Sequence, residues 1–378
     1  LYTGGFVMTA KSERKSNFEL MRIVSMFMIV LWHIIIHGNL LSTTYGTSRL
    51  FYIFLLALFI VHVNSFILLT GYFQSTSKFS LKKFLKLFLL IWFYRVIIVT
   101  VLTAFNVIDI DSKTLIINIL PIGSSEYWFI NIYLVIYALS PFFNKLIKTL
   151  QQDEYRKLLI ICFFLFSIIP FISNNATINN DGYSIIQFCY MYFLGAYFKK
   201  YPIEKNYHFK IYSKEKRQLI FIFIVLSCVG LNFINYIFSD SLQNYSNPAI
   251  NLLSTYISKN FLSYSNPIVI IQSLFYFLYF QTITLKSKFI NKISSIILGV
   301  YLIHDNSFIR NILYKSLNIA NVQNRGIKSI IYAFICGILI FTICIIIEYI
   351  RSILTNFLEN TKIVKKLKYV FYNYIDKI

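Results

Sequence analysis

The first apolar stretch of the chain, "FELMRIVSMFMIVLWHIIIHG" at residues 18–38, contains four ionisable side chains: Glu19, Arg22, His33 and His37. Successive residues of an α-helix turn by about 100° and rise by about 1.5 Å. Arg22 and His33 are eleven residues apart, so they differ by about 20° in direction and lie about 16 Å apart along the axis. Glu19 precedes Arg22 by one turn and can pair with its guanidinium. The spacing predicts a stripe of acid, guanidinium and imidazole on one helix face.

Such a stripe is suited to acid–base chemistry inside a membrane. Ionisable groups in lipid are costly unless they pair or face a polar cavity, and a neutral imidazole can take a proton from a hydroxyl group. If Arg22 lies at the inner interface, His33 lies near the middle of the bilayer. Alternatively, Arg22 reaches the inner headgroups and His33 only hydrogen-bonds a neighbouring helix. His37, one turn further on, falls near the outer surface and is the weaker candidate.

The stripe lies on one of several segments that are long enough to cross a bilayer. The 378 residues are 57% hydrophobic and only 13% charged, whereas soluble domains average about 25% charged residues. Apolar runs of about 20 residues match the hydrocarbon thickness, and they lack the alternation of a transmembrane barrel. The sequence predicts an all-α polytopic membrane protein with about ten transmembrane helices: 18–37, 50–73, 84–105, 127–147, 157–173, 184–198, 218–238, 267–285, 291–306 and 328–352.

The positive charges indicate how these spans are oriented. With the N-terminus in the cytoplasm, 27 of the 36 lysines and arginines fall in predicted inner segments and seven in outer segments. This bias follows the positive-inside rule and predicts that both termini are cytoplasmic. The net charge of +21 is therefore spread over short loops, which does not fit a nucleic-acid-binding patch.

We expect three segments along the chain. Residues 1–17 form an N-terminal cytoplasmic segment, of which 1–7 read as a start-site leftover. Residues 18–357 form the transmembrane domain. Residues 358–378 are predicted to form a basic amphipathic helix on the inner leaflet, where lysines attract anionic lipid headgroups. The five cysteines lie in apolar runs without metal-like spacing, which predicts free buried thiols and no metal site.

Several stretches, in order along the chain, resemble the membrane acyltransferase-3 family, which includes polysaccharide and cell-wall O-acetyltransferases. The first is the acid, Arg, ten residues and His of the first span. "FILLTGYF" (66–73) resembles the family's FF-x-x-SG-[YF]-x signature, with Thr70 in place of the usual Ser. Three more stretches resemble a basic R-x-x-R pair, a WF-x-x-x-x-x-x-Y-x-x-x-P element and an [IV]-Y-L-x-H element: "LKKFLK" (81–86), "YWFINIYLVIYALSPF" (127–142) and "GVYLIHD" (299–305).

The resemblance implies an O-acyltransferase of the plasma membrane that moves an acetyl group from acetyl-CoA to a hydroxyl of a cell-surface or lipid-linked polysaccharide. His33 would be the general base, and Glu19 would orient Arg22. Arg22, Lys83 and Lys86 would hold the donor phosphates at the inner face. Since lysine binds phosphate as a point charge, the fork-like contacts of an arginine pair are not expected at Lys83 and Lys86.

Further candidates lie nearer the outer face or in mid-span. The resemblance also implies that Trp128, Tyr301 and His304 bind the acceptor, where a sugar ring could stack on an aromatic side chain; the alternative for Trp128 is an interfacial anchor. Arg95 falls near mid-depth of the third span and is expected to face the bundle, because a lipid-facing guanidinium is costly. Three polar residues are candidate partners for it: Glu348, Asn64 and His62.

Two other classes of protein stay open at this point. A glycan transporter or flippase also lines its path with intramembrane Arg and His, although such proteins commonly contain internal repeats, which this sequence does not show. A polysaccharide polymerase is expected to carry a large basic outer loop, whereas the longest predicted outer segment, 239–266, contains only Lys259. Direct acyl transfer and transfer through an acyl-enzyme both remain open, as does the identity of the acceptor.

Overall fold

The computed structural model describes residues 14–111, 116, 127–173, 179–242, 247–317, 326–361 and 365, and all regular secondary structure within them is helical. The main helices are α1 (Ser16–His37), α2 (Gly46–Phe59), α3 (His62–Gln74), α4 (Leu81–Ala104), α5 (Trp128–Thr149), α6 (Gln152–Phe163), α7 (Ile185–Lys200), α8 (Lys214–Leu242), α9 (Pro248–Phe261), α10 (Pro267–Thr282), α11 (Lys288–Ser294), α12 (Ile297–His304), α13 (Ser307–Ser316) and α14 (Ile327–Glu359). Short helical segments lie at Leu40–Thr43, Phe164–Ile168, Ile169–Ser173, Asn180–Gly182, Ile203–Lys205 and Tyr207–Lys210.

Seven helical stretches within the described residues are long and apolar enough to cross a membrane: Ser16–His37, Gly46–Gln74, Leu81–Ala104, Trp128–Thr149, Gln152–Ser173, Lys214–Leu242 and Ile327–Glu359. They correspond to seven of the ten predicted spans. The remaining three predicted spans, at 184–198, 267–285 and 291–306, are shorter in the structure. α7 and α10 have 16 residues each, and a break at residues 295–296 separates α11 from α12. By length and composition, the described residues contain seven candidate spans, and the count of ten stays a prediction.

α1 lies at the centre of the bundle, where it contacts α2, α3, α10, α11, α12 and α14. Its N-terminal side chains are anchored by partners distant in sequence. At the start of the helix, the Asn17 side chain donates to the Phe280 carbonyl oxygen at 2.9 Å, and the Ser287 backbone N–H donates to the Ser16 hydroxyl at 3.0 Å. These polar contacts fix the helix in register with α10 and α11, so residues on its inward face keep fixed partners.

α3 and α7 pack through glycines. A Cβ added at Gly71 would overlap the Tyr192 carbonyl oxygen, and one added at Gly195 would overlap the Leu68 carbonyl oxygen. Small residues at such contacts let two helix backbones approach closely. The "LTGY" glycine that the sequence linked to a family signature is therefore a packing residue between these two helices.

The ends of the chain differ from the predicted boundaries. α1 begins at Ser16, two residues before the predicted span, and α14 continues to Glu359, two residues into the predicted tail. Residues 1–13 and most of the tail, 362–364 and 366–378, lie outside the described residues. Half-exposed isoleucines such as Ile338 and Ile343 line the outer face of α14, as a lipid-facing helix requires.

Candidate functional site

A cavity of about 500 Å³ runs beside α1. It is lined near the start of the helix by Arg14, Lys15 and Arg22, and near its end by His33 together with Trp128 of α5. The 18 residues from Lys15 to His33 correspond to about 27 Å of helix. The cavity therefore joins a cationic end, near Ser16, to a histidine and aromatic end, near His37.

The predicted pairing of Glu19 with Arg22 is present at the cationic end. The Arg22 guanidinium lies 2.9 Å from a carboxylate oxygen of Glu19. The same oxygen accepts a 2.5 Å hydrogen bond from the Ser294 hydroxyl. The guanidinium also lies 5.4 Å from the centre of the Phe73 ring. Because the Glu19 carboxylate is buried and held from two helices, it fixes the direction in which Arg22 presents its remaining donors.

Two lysines that the sequence did not single out converge at this end. Lys15 donates to the Tyr72 hydroxyl at 3.2 Å, and the ammonium groups of Lys15 and Lys199 lie 5.4 and 4.9 Å from the centre of the Tyr72 ring. Burial, and then the neighbouring charge of Lys15, lower the pKa of Lys199. Among the described residues neither lysine has a carboxylate within ion-pair distance. Lys15 lines the cavity, whereas Lys199 does not line it but lies beside the same Tyr72 ring, so the two lysines give this end of α1 positive charge without a bound acid.

Lys83 and Lys86, the predicted donor cations, lie elsewhere. Both are exposed in the first turns of α4 and neither lines the cavity, although Leu87, one turn beyond Lys83, does. The Lys83 backbone N–H is capped by the Ser80 hydroxyl. The structure thus brings Lys15 rather than Lys83 or Lys86 into the cavity wall. The signal available in the sequence was only that Lys15 immediately precedes the first span.

His33 is hydrogen-bonded to His304, which the sequence had assigned to the acceptor. His33 Nδ1 lies 3.0 Å from His304 Nε2, and His304 Nδ1 lies 2.5 Å from the Val300 carbonyl oxygen. A carbonyl only accepts, so His304 Nδ1 carries a proton. With both rings neutral, His304 Nε2 is then the acceptor and His33 Nδ1 the donor. This chain of hydrogen bonds leaves His33 Nε2 with a free lone pair, as a base requires.

Asp305 completes this group and was not among the predicted site residues, although it directly follows His304 in "LIHD". A carboxylate oxygen of Asp305 lies 3.5 Å from His33 Nδ1 and 3.3 Å from a guanidinium nitrogen of Arg310. The carboxylate is close enough to stabilise the imidazolium that forms when His33 takes a proton. Arg310 in turn holds the carboxylate in place.

His33 lies nearer the end of α1 than the mid-span position predicted for it. The helix begins at Ser16, 17 residues before His33, and ends at His37, one turn after His33. The depth of His33 in a bilayer stays a prediction. His37, predicted to be a bystander, has its ring centre 5.1 Å from that of His33 and 5.5 Å from that of Tyr314.

His33, His37 and Asp305 could also be considered as ligands for a metal ion. One ligand atom from each lies within 4.8 Å of the others. However, the Asp305 carboxylate already pairs with Arg310, and a neighbouring guanidinium opposes the binding of a cation. The geometry is better explained by a base, His33, with partners that orient it.

Aromatic side chains surround the same end of the cavity. Trp128 and Tyr301, both predicted acceptor residues, line it, as does Tyr264. The Trp128 ring centre lies 4.5 Å from that of Tyr183, and Tyr183 lies 5.0 Å from Tyr264. Tyr183 is 40% exposed. These four rings form an aromatic rim that was only partly visible in the sequence.

The predicted substrate residue Arg95 is only 1% exposed and does not line the cavity. Its burial agrees with the expectation that it faces the bundle. One candidate partner, Glu348, accepts two 2.6 Å hydrogen bonds from Arg351 and one from the Tyr94 hydroxyl. A role for Arg95 in binding substrate stays a prediction.

Long apolar helices around a cavity with a cationic end and a histidine end define a multi-pass membrane protein with an internal site. A family model described as an acyltransferase domain matches residues 15–349. The chain therefore belongs to the acyltransferase-3 family and is a membrane acyltransferase. Comparison with curated proteins and with solved structures finds no match.

Proposed function

We propose that this membrane acyltransferase transfers an acetyl group from acetyl-CoA, bound from the cytoplasm, to a hydroxyl of a cell-surface or lipid-linked glycan. The observation that carries the proposal is the cavity itself, which connects unneutralised cations at one end of α1 to a hydrogen-bonded base at the other. A donor with phosphates far from its thioester fits this separation of charge and base. We also propose that the protein resides in the plasma membrane.

The cationic end supports binding of the donor phosphates. Arg22 is oriented by Glu19, and an arginine held this way can make charge-assisted hydrogen bonds to phosphate. Lys15 and Lys199 add two positive charges around Tyr72. In this arrangement the nucleotide end of the donor stays at the mouth and its thiol arm extends along α1 toward His33.

The aromatic rim supports binding of a sugar ring. Tyr183 follows three residues with positive φ, namely 43° at Asn180, 53° at Asp181 and 89° at Gly182. Such a backbone is costly for Asn and Asp and persists only where surrounding structure holds it; here the Asp181 carbonyl accepts from the Tyr264 backbone N–H at 2.9 Å. The held turn presents an exposed aromatic ring beside Trp128, where the apolar face of a sugar can stack.

The proposed reaction is direct transfer. His33 Nε2 takes the proton of the acceptor hydroxyl as its oxygen attacks the acyl carbonyl carbon, and the carbonyl electron pair moves to oxygen. The tetrahedral intermediate then collapses, the carbon–sulfur bond breaks, and the departing thiolate receives the proton from His33. Asp305 stabilises the imidazolium between these steps because it lies 3.5 Å from His33 Nδ1.

The arrangement of helix ends supports ten crossings with both termini cytoplasmic. Each of the three short spans reaches from one end of α1 to the other. α7 runs from next to Tyr183, beside Trp128, to Lys199, beside Tyr72. α10 begins near Tyr264 at the aromatic rim and ends with Phe280 bonded to Asn17. Since α11 and α12 similarly connect Ser294 at Glu19 to His304 at His33, all three cover the same distance as a long span.

The proposal is tested with purified protein in proteoliposomes, radiolabelled acetyl-CoA and cell-surface glycan. The protein should transfer label to the glycan, and His33→Ala should reduce transfer about 10²- to 10⁴-fold, the usual contribution of a general base, while still binding CoA. Transfer by His33→Ala at the normal rate would refute the assignment of the base. If the protein moves glycan across the vesicle membrane without an acyl donor, and transfers no label when acetyl-CoA is present, the alternative function of glycan transporter would be favoured.

A further inference from the structure

Tyr127, the residue immediately before α5, has a backbone in the left-handed region, with φ 55° and ψ 41°. This conformation is costly for a residue with a bulky side chain and persists only where the surrounding structure holds it. Tyr127 directly precedes Trp128, which lines the cavity at the His33 end. The residue is only 3% exposed, so the contacts of its buried side chain should explain why this backbone is held.

The hydroxyl group of Tyr127 lies at the junction of α12 and α13. It donates to the Leu302 carbonyl oxygen at 2.6 Å and accepts from the Asn306 side-chain amide at 3.0 Å. Leu302 is in the last turn of α12, where backbone carbonyls lack partners within the helix. Asn306 caps α13, because its side-chain oxygen accepts from the backbone N–H groups of Phe308 and Ile309. One hydroxyl thus holds the end of one helix and the start of the next.

The junction that this hydroxyl holds contains the partners of the base. His304 and Asp305 lie in the sequence between the two residues that contact the hydroxyl. They approach His33 Nδ1 at 3.0 and 3.5 Å. Tyr127 therefore joins the backbone that carries Trp128 to the backbone that carries these partners. Since His304 has a separate anchor within α12, what the Tyr127 hydroxyl adds is the position of α5 relative to the base.

We propose that Tyr127 is a positioning residue that sets the distance between the acceptor ring, Trp128, and the base, His33. This inference rests on the proposed acyl transfer. A sugar stacked on Trp128 has its hydroxyl placed by α5, whereas the base belongs to α1 and is oriented from α12. Proton transfer needs these two groups within hydrogen-bonding reach at the same time, and a shift of about 1 Å can lower a rate about 10²-fold. The two hydrogen bonds of the Tyr127 hydroxyl prevent that shift.

This role predicts that transfer and hydrolysis respond differently to loss of the hydroxyl. Tyr127→Phe keeps the ring, whose centre lies 5.7 Å from that of Tyr301, but loses both hydrogen bonds. We expect kcat for glycan transfer to fall about 10- to 100-fold. The KM for glycan should stay the same, because the Trp128 ring and its neighbour Tyr183 are retained. Acetyl-CoA hydrolysis should stay close to the wild-type rate, because water needs the base and not the stacking ring.

Two further variants separate positioning from a general loss of stability. Tyr155→Phe is the matched control: its buried hydroxyl donates to the Phe193 carbonyl oxygen at 2.7 Å, and neither residue lines the cavity. It should lower the thermal unfolding midpoint, as Tyr127→Phe does, and leave both reactions unchanged. Asn306→Ser keeps a capping oxygen for α13, but its shorter side chain cannot reach the Tyr127 hydroxyl. It should therefore lower the ratio of transfer to hydrolysis, in the same direction as Tyr127→Phe.

The test measures glycan transfer, acetyl-CoA hydrolysis, CoA binding and thermal unfolding for the wild type and the three variants in proteoliposomes. The inference is supported if Tyr127→Phe and Asn306→Ser lose transfer, keep hydrolysis and bind CoA normally, while Tyr155→Phe keeps both reactions. It is overturned if Tyr127→Phe retains its kcat for transfer, if transfer and hydrolysis fall together, or if Tyr155→Phe shows the same loss. If Tyr127→Phe does not fold, Asn306→Ser alone decides between these results. Failure of the wild type to bind or consume acetyl-CoA would instead refute the proposed function itself.

Discussion

Removal of the His304 acceptor offers the sharpest test of the hydrogen-bond chain that assigns His33 as the base. In His304→Asn the shorter side chain can still donate to the Val300 carbonyl but no longer reaches His33 Nδ1. The N–H at Nδ1 then loses the acceptor that lies 3.0 Å away. Asp305, at 3.5 Å, is beyond good hydrogen-bonding distance. The ring of His33 is therefore free to turn its lone pair away from the substrate.

The size of the effect follows from this lost contact. A buried donor left without its partner costs about 1–3 kcal/mol, and each 1.36 kcal/mol changes a rate tenfold. His304→Asn should therefore lower kcat about 5- to 150-fold. His304→Gln places an amide oxygen close to the former Nε2 position, so it should lose less activity than His304→Asn.

The assay is acetyl transfer at saturating donor, together with the Kd for CoA and the thermal unfolding midpoint of each variant. His304 lies at the opposite end of the cavity from Arg22 and Lys15, so both variants should bind CoA like the wild type. Equal rates for His304→Asn and wild type would refute the chain of hydrogen bonds. A loss of CoA binding in proportion to kcat would show a general disruption instead of an effect on the base.

Three further predictions address the two ends of the cavity. Lys199→Ala should weaken CoA binding about tenfold, because one charge-assisted contact contributes about 1.5 kcal/mol. Lys83 is exposed, and Lys83→Ala should leave CoA binding unchanged. If a CoA titration instead shows weaker binding in Lys83→Ala than in Lys199→Ala, Lys83 holds the donor phosphates as the sequence predicted. Tyr183→Ala should raise the KM for glycan about 3- to 10-fold, because stacking on the ring contributes about 0.5–1.5 kcal/mol. Tyr183→Phe should keep the wild-type KM, and acetyl-CoA hydrolysis should be unchanged in both variants. An unchanged KM in Tyr183→Ala would remove Tyr183 from the acceptor site. Chelation with EDTA should leave transfer intact, and a loss reversed by Zn²⁺ would mean that His33, His37 and Asp305 hold a metal.

The local part of the site could be predicted from the sequence because helix geometry relates neighbours. The Glu19–Arg22 pair and the shared face of Arg22 and His33 follow from intervals of three and eleven residues, and the structure contains both features. The bond between His33 and His304 joins residues 271 positions apart. Helical periodicity carries no information over such a separation. His304 was therefore predicted to bind the acceptor, because its span ends near the outer face, and its hydrogen bond to His33 was not predicted.

Two other features were hidden for different physical reasons. Lys199 could not be distinguished from the other lysines of the predicted inner segments, because the positive-inside rule predicts only on which side of the membrane they lie. Only the close approach of α3 and α7, permitted by Gly71 and Gly195, brings it to Tyr72. The break between α2 and α3, before His62, is not marked by Gly or Pro in "LFIVH" (58–62). The backbone carbonyls of Ala57 and Leu58 next to the break accept hydrogen bonds from Gln272, more than 200 residues further along the chain.

The separation of charge and base along α1 explains why acyl transfer needs this fold. Phosphates require cations and water, whereas a base and a reactive thioester work best where water is scarce. A single helix that carries Arg22 near its start and His33 near its end keeps these environments apart. In the proposed reaction, one extended donor occupies both. The anchored turn at Tyr183 lies beside Trp128 at the His33 end, where the proposed donor presents its acyl group.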